Sequence, residues 1–405
     1  EVTVSGAKNA ALPVLAGCLL VSGETVLHNV PRLQDISTMI KLLSILGAKC
    51  RQEDSTLYID TSSITVNEAP YSLVKTMRAS FIILGPLLGR LKSARVALPG
   101  GCAIGTRPVD IHIKGLQALS AEVEIQGGYV EAKVKKLKGN TVHLDFPSVG
   151  ATENIMLAAA LSEGETIIRN SAREPEIVNL GDFINRMGGH VRGAGSDEII
   201  VQGVSRLHPS EFTIMPDRIE TGTLISAAAI TKGDIIIRNA SPTHLESVIG
   251  KLSDAGVEIT CSGETIHARS SRRISSVPVR TLPYPGFPTD LQPQLMAVLC
   301  LAEGASIISE TIFENRFMQV PELIRMGASI KVEERNAMIE GVKKLSGAEV
   351  MCSDLRAGAS LVLAALAADG VSLVQRIYHI DRGYECLEQK LSALGAKITR
   401  VRAGM

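Results

Sequence analysis

The sequence predicts an α/β protein assembled from six similar repeats, and two recurring patterns support that prediction. One is a helix end of the form Leu-Gly-Ala followed by apolar residues, which occurs as LSILGAKC at 43–50 and as LSALGAKI at 392–399. The other is a turn followed by a short β-branched strand, which occurs as GETVLHNV at 23–30 and as GDIIIRNA at 233–240. Because both patterns recur in the same order, each repeat combines helices with strands.

The spacing of the Leu-Gly-Ala pattern gives the length of one repeat. With its glycine, or Ser120 in the second copy, as the reference, the six copies lie at 47, 120, 188, 256, 327 and 395. Successive copies are therefore 73, 68, 68, 71 and 68 residues apart, which is about 70 residues per repeat. We expect this glycine at a helix C-cap, because glycine readily adopts the left-handed conformation that ends many helices.

Each repeat begins with a helix that is apolar almost all round, such as 74–91 or 151–164. A helix of this kind is expected in the middle of a domain. A strand, an amphipathic helix and a second strand or hairpin follow it. Six repeats divide most simply into two halves of three, with a linker candidate at 214–217. A cleft between two such halves is a preferred place for a ligand.

The composition argues against several classes of function. The 42 basic residues balance 42 acidic ones and Trp is absent, so we expect no nucleic-acid partner. The seven cysteines are spread singly, which indicates reduced thiols in a cytoplasmic protein. The longest apolar runs, 80–88 and 359–368, are too short to cross a membrane, and no signal peptide is visible. No cofactor motif or metal-ligand spacing is present, so we expect neither a cofactor nor a metal.

Several charged or reactive residues depart from the repeat pattern and are therefore candidates for function. Arginine and lysine at equivalent ends of repeats favour a small anion with phosphate or carboxylate groups. Each residue also has an ordinary alternative: Ser5 or Asn9 caps the first helix, Asp290 caps the fifth buried helix, Cys102 packs beneath a glycine turn, and an arginine forms a surface ion pair. The candidates are Lys8, Asn9, Arg78, Cys102, Arg107, Asp290, Arg316, Asp354, Arg356 and Arg382.

Ten motifs from residue 1 to about 400 resemble the enolpyruvyl transferases that act on UDP-N-acetylglucosamine. They include SGAKNAALP, LPGGCAIGTRPVD, PSVGATENIM, FPTDLQPQ, ETIFENRFM and RIYHIDRGYE. The resemblance implies two inside-out α/β barrel domains of three repeats each, with the active site in the cleft between them. It implies one domain at 8–215 and a second at 1–7 plus 216–405. The family's first strand normally precedes SGAKN, so the N-terminus here looks truncated.

The resemblance also implies a reaction. The family transfers the enolpyruvyl group of phosphoenolpyruvate to the 3′-hydroxyl of UDP-N-acetylglucosamine and releases phosphate, through a tetrahedral ketal. This is the first committed step of peptidoglycan synthesis. By resemblance, Cys102 is the general acid and the thiol that fosfomycin alkylates, Asp290 is the base, and Lys8 is a third catalytic residue.

The matching motifs imply two sets of contacts. In the first, Lys8, Arg107 and Arg382 hold the phosphate, and Arg316 and Arg356 hold the carboxylate. The phosphoenolpyruvate contacts are Lys8, Asn9, Arg107, Arg316, Asp354, Arg356 and Arg382. The UDP-N-acetylglucosamine contacts are Arg78, Arg107, Pro108, Val109, Asp110, Ile111, Ser148, Val149, Gly150, Asp290 and Ile312. Phe146 stands where some members carry a lysine.

Three other functions are compatible with parts of this pattern. The shikimate-pathway enolpyruvyl transferase shares the fold and the chemistry, but we expect it to lack the Cys102 loop and PSVGAT. A non-catalytic sensor of nucleotide sugar is expected to have lost Cys102, Asp290 or an arginine. An RNA-end-processing enzyme needs a basic face, which the zero net charge does not favour.

Overall fold

The structure is a computed structural model that describes residues 1–99 and 109–401. The chain divides into two compact units. The N-terminal unit contains residues 6–99 and 109–215, and the C-terminal unit contains residues 1–5 and 216–401. The first boundary therefore lies two residues before the expected start at Lys8. The reason is that the Ala7 amide donates to the Met215 carbonyl at 2.7 Å, which ties this segment to the end of the N-terminal unit.

The N-terminal unit contains three repeats of helices and short strands. Its α-helices are α1 (Lys8–Gly17), α2 (Gln34–Ile45), α3 (Tyr71–Val74), α4 (Leu84–Leu91), α5 (Asp110–Ala118), α6 (Val149–Ala159) and α7 (Pro175–Arg186). Its 3-10 helices are Cys18–Leu20 and Arg78–Ile83. The first strand of the chain, β1 (Val2–Thr3), belongs to the C-terminal unit. The strands of the N-terminal unit are β2 (Glu24–His28), β3 (Lys49–Glu53), β4 (Thr56–Asp60), β5 (Glu68–Ala69), β6 (Ser93–Ala97), β7 (Glu122–Gln126), β8 (Tyr129–Lys133), β9 (Thr141–His143), β10 (Glu165–Arg169), β11 (His190–Arg192), β12 (Glu198–Gln202) and β13 (Glu211–Thr213).

The C-terminal unit repeats this plan. Its α-helices are α8 (Arg218–Thr231), α9 (Glu246–Asp254), α10 (Gln292–Leu299), α11 (Val320–Arg325), α12 (Leu355–Ala367) and α13 (Leu387–Ala393). Its 3-10 helices are Pro242–His244, Thr289–Leu291 and Ile377–Arg382. Its strands are β1 (Val2–Thr3), β14 (Asp234–Arg238), β15 (Glu258–Ser262), β16 (Thr265–Arg269), β17 (Val279–Arg280), β18 (Ala305–Ser309), β19 (Ser329–Glu333), β20 (Asn336–Glu340), β21 (Leu345–Ser346), β22 (Glu349–Met351), β23 (Ala368–Asp369) and β24 (Leu373–Gln375).

The sheets show the predicted repeat directly. Within residues 1–99 and 109–401, five sheets have four strands in one arrangement: a strand, its antiparallel hairpin, and an added parallel edge strand. These sheets are β13-β2-β4-β3, β5-β6-β8-β7, β9-β10-β12-β11, β1-β14-β16-β15 and β17-β18-β20-β19. In the described part of the sixth repeat, β24 pairs in parallel with β22 alone. The strands thus form separate small sheets around helices, which is the inside-out order of layers.

The predicted C-caps are confirmed at all six reference positions. Glycines 47, 188, 256, 327 and 395 have positive φ values from 92° to 109°, and Ser120 has φ 70°. Serine adopts this conformation at some cost in conformational energy, whereas glycine adopts it freely. The repeat therefore needs a left-handed residue where each outer helix ends, whatever its side chain.

The first helices of the repeats form the core of each unit. In the C-terminal unit α8, α10 and α12 pack against one another, and in the N-terminal unit α4 packs against α6. The packing is close, because a methyl group at Gly85 would lie 2.2 Å from the Asn154 carbonyl oxygen. The prediction of one helix over 74–91 is wrong. The 3-10 helix Arg78–Ile83 leads into α4, and Pro86 lies in the first turn of α4, where the missing proline N–H is tolerated.

No helix in the described ranges is long and apolar enough to span a membrane.

Candidate active site

Three predicted site residues meet in the C-terminal unit. Arg316 Nη2 donates to Asp290 Oδ1 at 2.8 Å. Arg356 donates to Asp290 Oδ2 through Nη2 at 3.0 Å and through Nε at 3.2 Å. Asp290 is thus not simply a helix cap, and neither arginine is a surface ion pair, since both guanidinium side chains are only 3% exposed.

Local structure explains how these side chains reach one another. Asp290 lies in the 3-10 helix that precedes α10, and Arg356 lies in the first turn of α12, which packs against α10. A cation at a helix N-terminus is disfavoured by the helix dipole, and a buried one is disfavoured further. Burial of Arg356 lowers its pKa, but the negative charges of Asp290 and Asp217 and a hydrogen bond with Tyr384 outweigh burial and raise that pKa above its usual value.

Two buried donors of this cluster point to an anion. Arg316 Nε and Arg356 Nη1 are buried and have no hydrogen-bond partner within the described part of the chain. A buried donor without a partner costs about 1–3 kcal/mol, and more when it carries charge. Two guanidinium groups with such donors can bind a carboxylate or phosphate.

Three further residues, Asp354, Tyr384 and Arg382, lie near this cluster in the sequence or in space. Asp354 caps α12, because its Oδ1 accepts from the amides of Arg356 at 2.9 Å and Ala357 at 3.1 Å. The ring of Tyr384 is buried and lies 5.3 Å from the Arg356 guanidinium carbon. Arg382 is partly exposed at the end of the 3-10 helix Ile377–Arg382, two residues before Tyr384.

The N-terminal unit holds the remaining described candidates except Ile312, beginning with Lys8. Lys8 Nζ lies 3.4 Å from Asp35 Oδ2, and both side chains are largely buried. Helix α1 begins at Lys8 with Ala7 as its N-cap and no capping side chain, so the prediction that Ser5 or Asn9 caps it is wrong. Ser5 belongs to the C-terminal unit, where its hydroxyl donates to Glu385 at 2.6 Å, and Asn9 is the second residue of α1.

Arg78 begins the 3-10 helix Arg78–Ile83 and is only partly buried, not inside an apolar helix as expected. The nearby His112 is half-buried, and this burial together with the charge of Arg78 lowers its pKa to about 4. His112 Nδ1 lies 3.1 Å from Asn154 Nδ2, and the His112 ring meets the Phe81 ring edge to face. The imidazole is therefore neutral at neutral pH.

The predicted nucleotide-sugar residues of this unit lie at two helix starts. Val109 is the N-cap of α5, and Asp110 and Ile111 form its first turn. Ser148 caps α6, with its hydroxyl 3.4 Å from the Ala151 amide, and Val149 and Gly150 follow. The two helix starts are close, since a methyl group on Gly150 would lie 3.3 Å from His112 Cε1. Phe146, just before the cap, is 44% exposed.

Curated relatives match this chain along nearly its whole length. The UDP-N-acetylglucosamine 1-carboxyvinyltransferase of Desulfatibacillum aliphaticivorans is 57% identical over 402 residues, which is 99% of this chain and 97% of the relative. The protein of the same name from Trichlorobacter lovleyi is 56% identical over 99% of this chain and 96% of the relative. This chain belongs to the UDP-N-acetylglucosamine 1-carboxyvinyltransferase family.

Broader comparisons agree with the family. The sequence model of EPSP synthase (3-phosphoshikimate 1-carboxyvinyltransferase) matches residues 1–391. The enolpyruvyl transferase NikO from Streptomyces tendae superposes with a TM-score of 0.88 at 23% identity, covering 98% of this chain and 94% of NikO. EPSP synthase from Acinetobacter baumannii gives 0.75 at 19% identity, over 97% of this chain and 94% of that one. At these identities the two structures show a shared fold.

Three residues of the carboxyvinyltransferase pattern, Cys102, Arg107 and Pro108, lie outside the described residues. Sequence reasoning also missed several residues that organise the described site. Asp35 pairs with Lys8, and His112 follows directly after the predicted contact Ile111. Glu310 accepts the Ile312 amide at 2.8 Å. A signal for Glu310 exists, because it is a carboxylate directly after a strand, where three other repeats have Asn29, Asn170 and Asn239.

Proposed function

We propose that this family member transfers the enolpyruvyl group of phosphoenolpyruvate to the 3′-hydroxyl of UDP-N-acetylglucosamine and releases phosphate. It thereby catalyses the first committed step of peptidoglycan synthesis. The observation that carries the proposal is the buried cluster of Asp290, Arg316 and Arg356, which combines a carboxylate with two cations that retain free donors. Close relatives that bear the nucleotide-sugar name favour this acceptor over a shikimate.

The chemistry needs one proton donor and one proton acceptor. In the addition step the sugar oxygen bonds to C2 of phosphoenolpyruvate, its proton passes to Asp290, and the methylene carbon takes a proton from Cys102. In the elimination step the methyl carbon returns a proton, the C2–O bond to phosphate breaks, and the phosphate leaves with the electron pair. Lys8, Arg107 and Arg382 hold the phosphate, with Asn9 and Asp354 in support.

The arginine pair gives Asp290 a second role. Its carboxylate accepts three guanidinium hydrogen bonds from Arg316 and Arg356, which stabilise the ionised form. A phosphoenolpyruvate carboxylate that binds Arg316 and Arg356 competes for the same positive charge. Substrate binding therefore weakens the hydrogen bonds from the two arginines to Asp290 and makes the Asp290 carboxylate a better proton acceptor.

The nucleotide sugar binds the N-terminal unit at the starts of α5 and α6. The first amides of α6 at Val149 and Gly150 suit a diphosphate, since helix N-termini bind anions. Arg78 adds positive charge beside the neutral His112. Pro108 to Ile111 and Ile312 contact the uridine and sugar. The exposed Phe146 offers an apolar face where a lysine charge is missing.

Fosfomycin alkylation of Cys102 and a cytoplasmic location complete the proposal. A sensor that only binds nucleotide sugar remains the alternative, and turnover distinguishes the two. The test measures inorganic phosphate released from phosphoenolpyruvate with UDP-N-acetylglucosamine, with 3-phosphoshikimate, or with no acceptor. Of the three conditions, we expect phosphate release only with UDP-N-acetylglucosamine as the acceptor. Preincubation with fosfomycin should abolish this release. Folded protein that binds the nucleotide sugar but releases no phosphate is a sensor, and this proposal is then wrong.

A further inference from the structure

Glu310 is a buried carboxylate that follows β18 directly. It is 1% exposed, and four neutral groups donate hydrogen bonds to it. Its Oε1 accepts from the hydroxyl of Thr281 at 2.8 Å and from the amides of Ile312 at 2.8 Å and Phe313 at 3.2 Å. Its Oε2 accepts from the hydroxyl of Thr289 at 3.0 Å. Several donors on one carboxylate offset the cost of burying it.

The two carboxylate oxygens of Glu310 serve two different loops. Thr289, on the Oε2 side, immediately precedes Asp290 in the 3-10 helix Thr289–Leu291. Ile312, on the Oε1 side, belongs to the loop after β18 and is a predicted nucleotide-sugar contact. One side chain therefore fixes the proposed base relative to a residue proposed to contact the acceptor. Both loops lie in the C-terminal unit.

The internal repeats show that strand pairing does not require a glutamate here. The equivalent residues of the first, third and fourth repeats are asparagines with left-handed φ values of 55°, 53° and 54°. Each asparagine amide donates to a backbone carbonyl beside the parallel edge strand. These pairs are Asn29 to Ile214 at 2.9 Å, Asn170 to Leu144 at 2.7 Å and Asn239 to Val4 at 2.8 Å.

In the fifth repeat other residues make the equivalent link. The Thr311 amide donates to the Thr281 hydroxyl at 2.9 Å, and the Thr311 hydroxyl donates to the Thr281 carbonyl at 2.5 Å. Glu310 is not among the described residues with positive φ. The Glu310 side chain therefore makes no backbone link of the asparagine kind; it accepts from the Thr281 hydroxyl and from donors of the two loops.

We propose that Glu310 is a positioning residue that holds Asp290 and the Ile312 loop in one fixed relation for the enolpyruvyl transfer. This inference rests on the proposed function, because Asp290 and Ile312 take their roles from it. A small misplacement of a catalytic group lowers the rate by as much as about 100-fold. Loss of residues that orient metal ligands costs about 10- to 100-fold, and we expect an effect of the same size for a residue that orients a catalytic carboxylate.

Variants can separate the two connections. Thr289→Val removes one hydroxyl at nearly constant volume, so only the link to the Asp290 turn is lost. We expect kcat to fall about 10-fold or more, with the KM for each substrate within about twofold of wild type. Glu310→Ala removes both links and the acceptor of the Thr281 hydroxyl, so kcat falls and the KM for UDP-N-acetylglucosamine rises about 10-fold. Glu310→Gln keeps an oxygen for the Ile312 amide, and the Thr289 hydroxyl can accept from its amide. This variant should retain kcat within about threefold.

The matched control is Asn239→Ala, which changes the equivalent position of the fourth repeat in the same unit. It should lower the melting temperature and leave kcat and both KM values unchanged. Calorimetric titration of UDP-N-acetylglucosamine adds a readout that does not need turnover, in which Glu310→Ala alone binds more weakly.

The outcomes separate this inference from the proposed function. Wild-type protein without phosphate release contradicts the proposed function, and the calorimetric arm still decides whether Glu310 positions the acceptor loop. With active wild type, unchanged kcat in Thr289→Val overturns the inference. It is also overturned if Glu310→Ala and Asn239→Ala change stability and kinetics alike. If Glu310→Ala fails to fold, Thr289→Val and Glu310→Gln decide the question.

Discussion

Replacing Asp290 with asparagine should affect both stability and catalysis, because its carboxylate is the counter-ion of two buried arginines. The change removes the negative charge and turns an amide N–H group toward one of the guanidinium groups. Breaking a buried ion pair on one side costs about 3–5 kcal/mol, but the Asp290 side chain is 25% exposed, so water recovers part of that loss. We expect the free energy of unfolding to fall by about 2–3 kcal/mol.

That change is large enough to measure. For a unit of roughly 150–250 residues, 1 kcal/mol lowers the melting temperature by about 2–4 °C, so Asp290→Asn should melt about 4–12 °C lower. Calorimetry or circular dichroism in dilute, phosphate-free buffer measures the shift. Turnover should fall by about 100-fold or more, which is typical for loss of a general base.

Phosphoenolpyruvate without nucleotide sugar provides the diagnostic readout. In the variant the arginine pair no longer has an internal carboxylate, so the ligand's carboxylate meets no competitor there. A tenfold gain in affinity raises the ligand-induced stabilisation by about 1.4 kcal/mol at saturating ligand. Phosphoenolpyruvate should therefore raise the melting temperature of Asp290→Asn more than that of wild type.

The control is Asp234→Asn in the same unit. Asp234 makes exposed contacts to His267 at 2.6 Å and Arg269 at 3.8 Å, and exposed pairs contribute about 0–1 kcal/mol. If both variants melt alike and gain equally from phosphoenolpyruvate, the Asp290 carboxylate is not the counter-ion that holds the arginine pair, and our account of its basicity is wrong.

Two further predictions concern Cys102 and His112. Cys102→Asp should keep measurable turnover and lose fosfomycin sensitivity. A carboxylic acid titrates near pH 3.9 and a thiol near 8.5, so the turnover of the variant should decline from a lower pH than that of the wild type. Retained fosfomycin sensitivity would mean that another thiol reacts. His112 is neutral when folded, with its pKa lowered to about 4 by burial and Arg78, so its contribution to stability is complete above pH 6.5 and is lost as the pH falls toward 4. His112→Gln should remove about 3 kcal/mol of that pH dependence in urea titrations from pH 7 to pH 4, and a variant with the wild-type slope would contradict the assignment.

Much of the fold could be predicted because it repeats. The Leu-Gly-Ala pattern located six helix ends, and each reference residue has the expected left-handed backbone. Failures occurred where one copy differs from the others in local chemistry. A sequence that reads as one apolar helix over 74–91 contains Pro86, whose position fits a helix start at Leu84 better than a helix interior. Apolar periodicity alone does not reveal such a break.

The charged cluster was predictable only in part. Arg316, Arg356 and Asp290 were visible as charges in otherwise apolar or turn-like segments, and the resemblance assigned the arginines to phosphoenolpyruvate and Asp290 to the base and the nucleotide-sugar contacts. That both arginines would bond to Asp290 was not visible, because these pairs join residues 26 and 66 positions apart. The sequence predicted that Arg316 and Arg356 bind a substrate anion, whereas in the structure both bind the Asp290 carboxylate.

Glu310 shows why comparing repeats finds residues that motif matching misses. Three repeats end the equivalent strand with an asparagine that bonds back to the scaffold, and that bond explains the residue fully. A carboxylate at the same place has no N–H to donate to a backbone carbonyl, so it must accept donors from elsewhere. Those donors are the Thr281 hydroxyl, the hydroxyl of Thr289 beside Asp290, and the amides after Thr311. In a chain of six near-copies, a change of hydrogen-bonding polarity at one scaffold position therefore indicates a functional loop more directly than the charge of that loop itself.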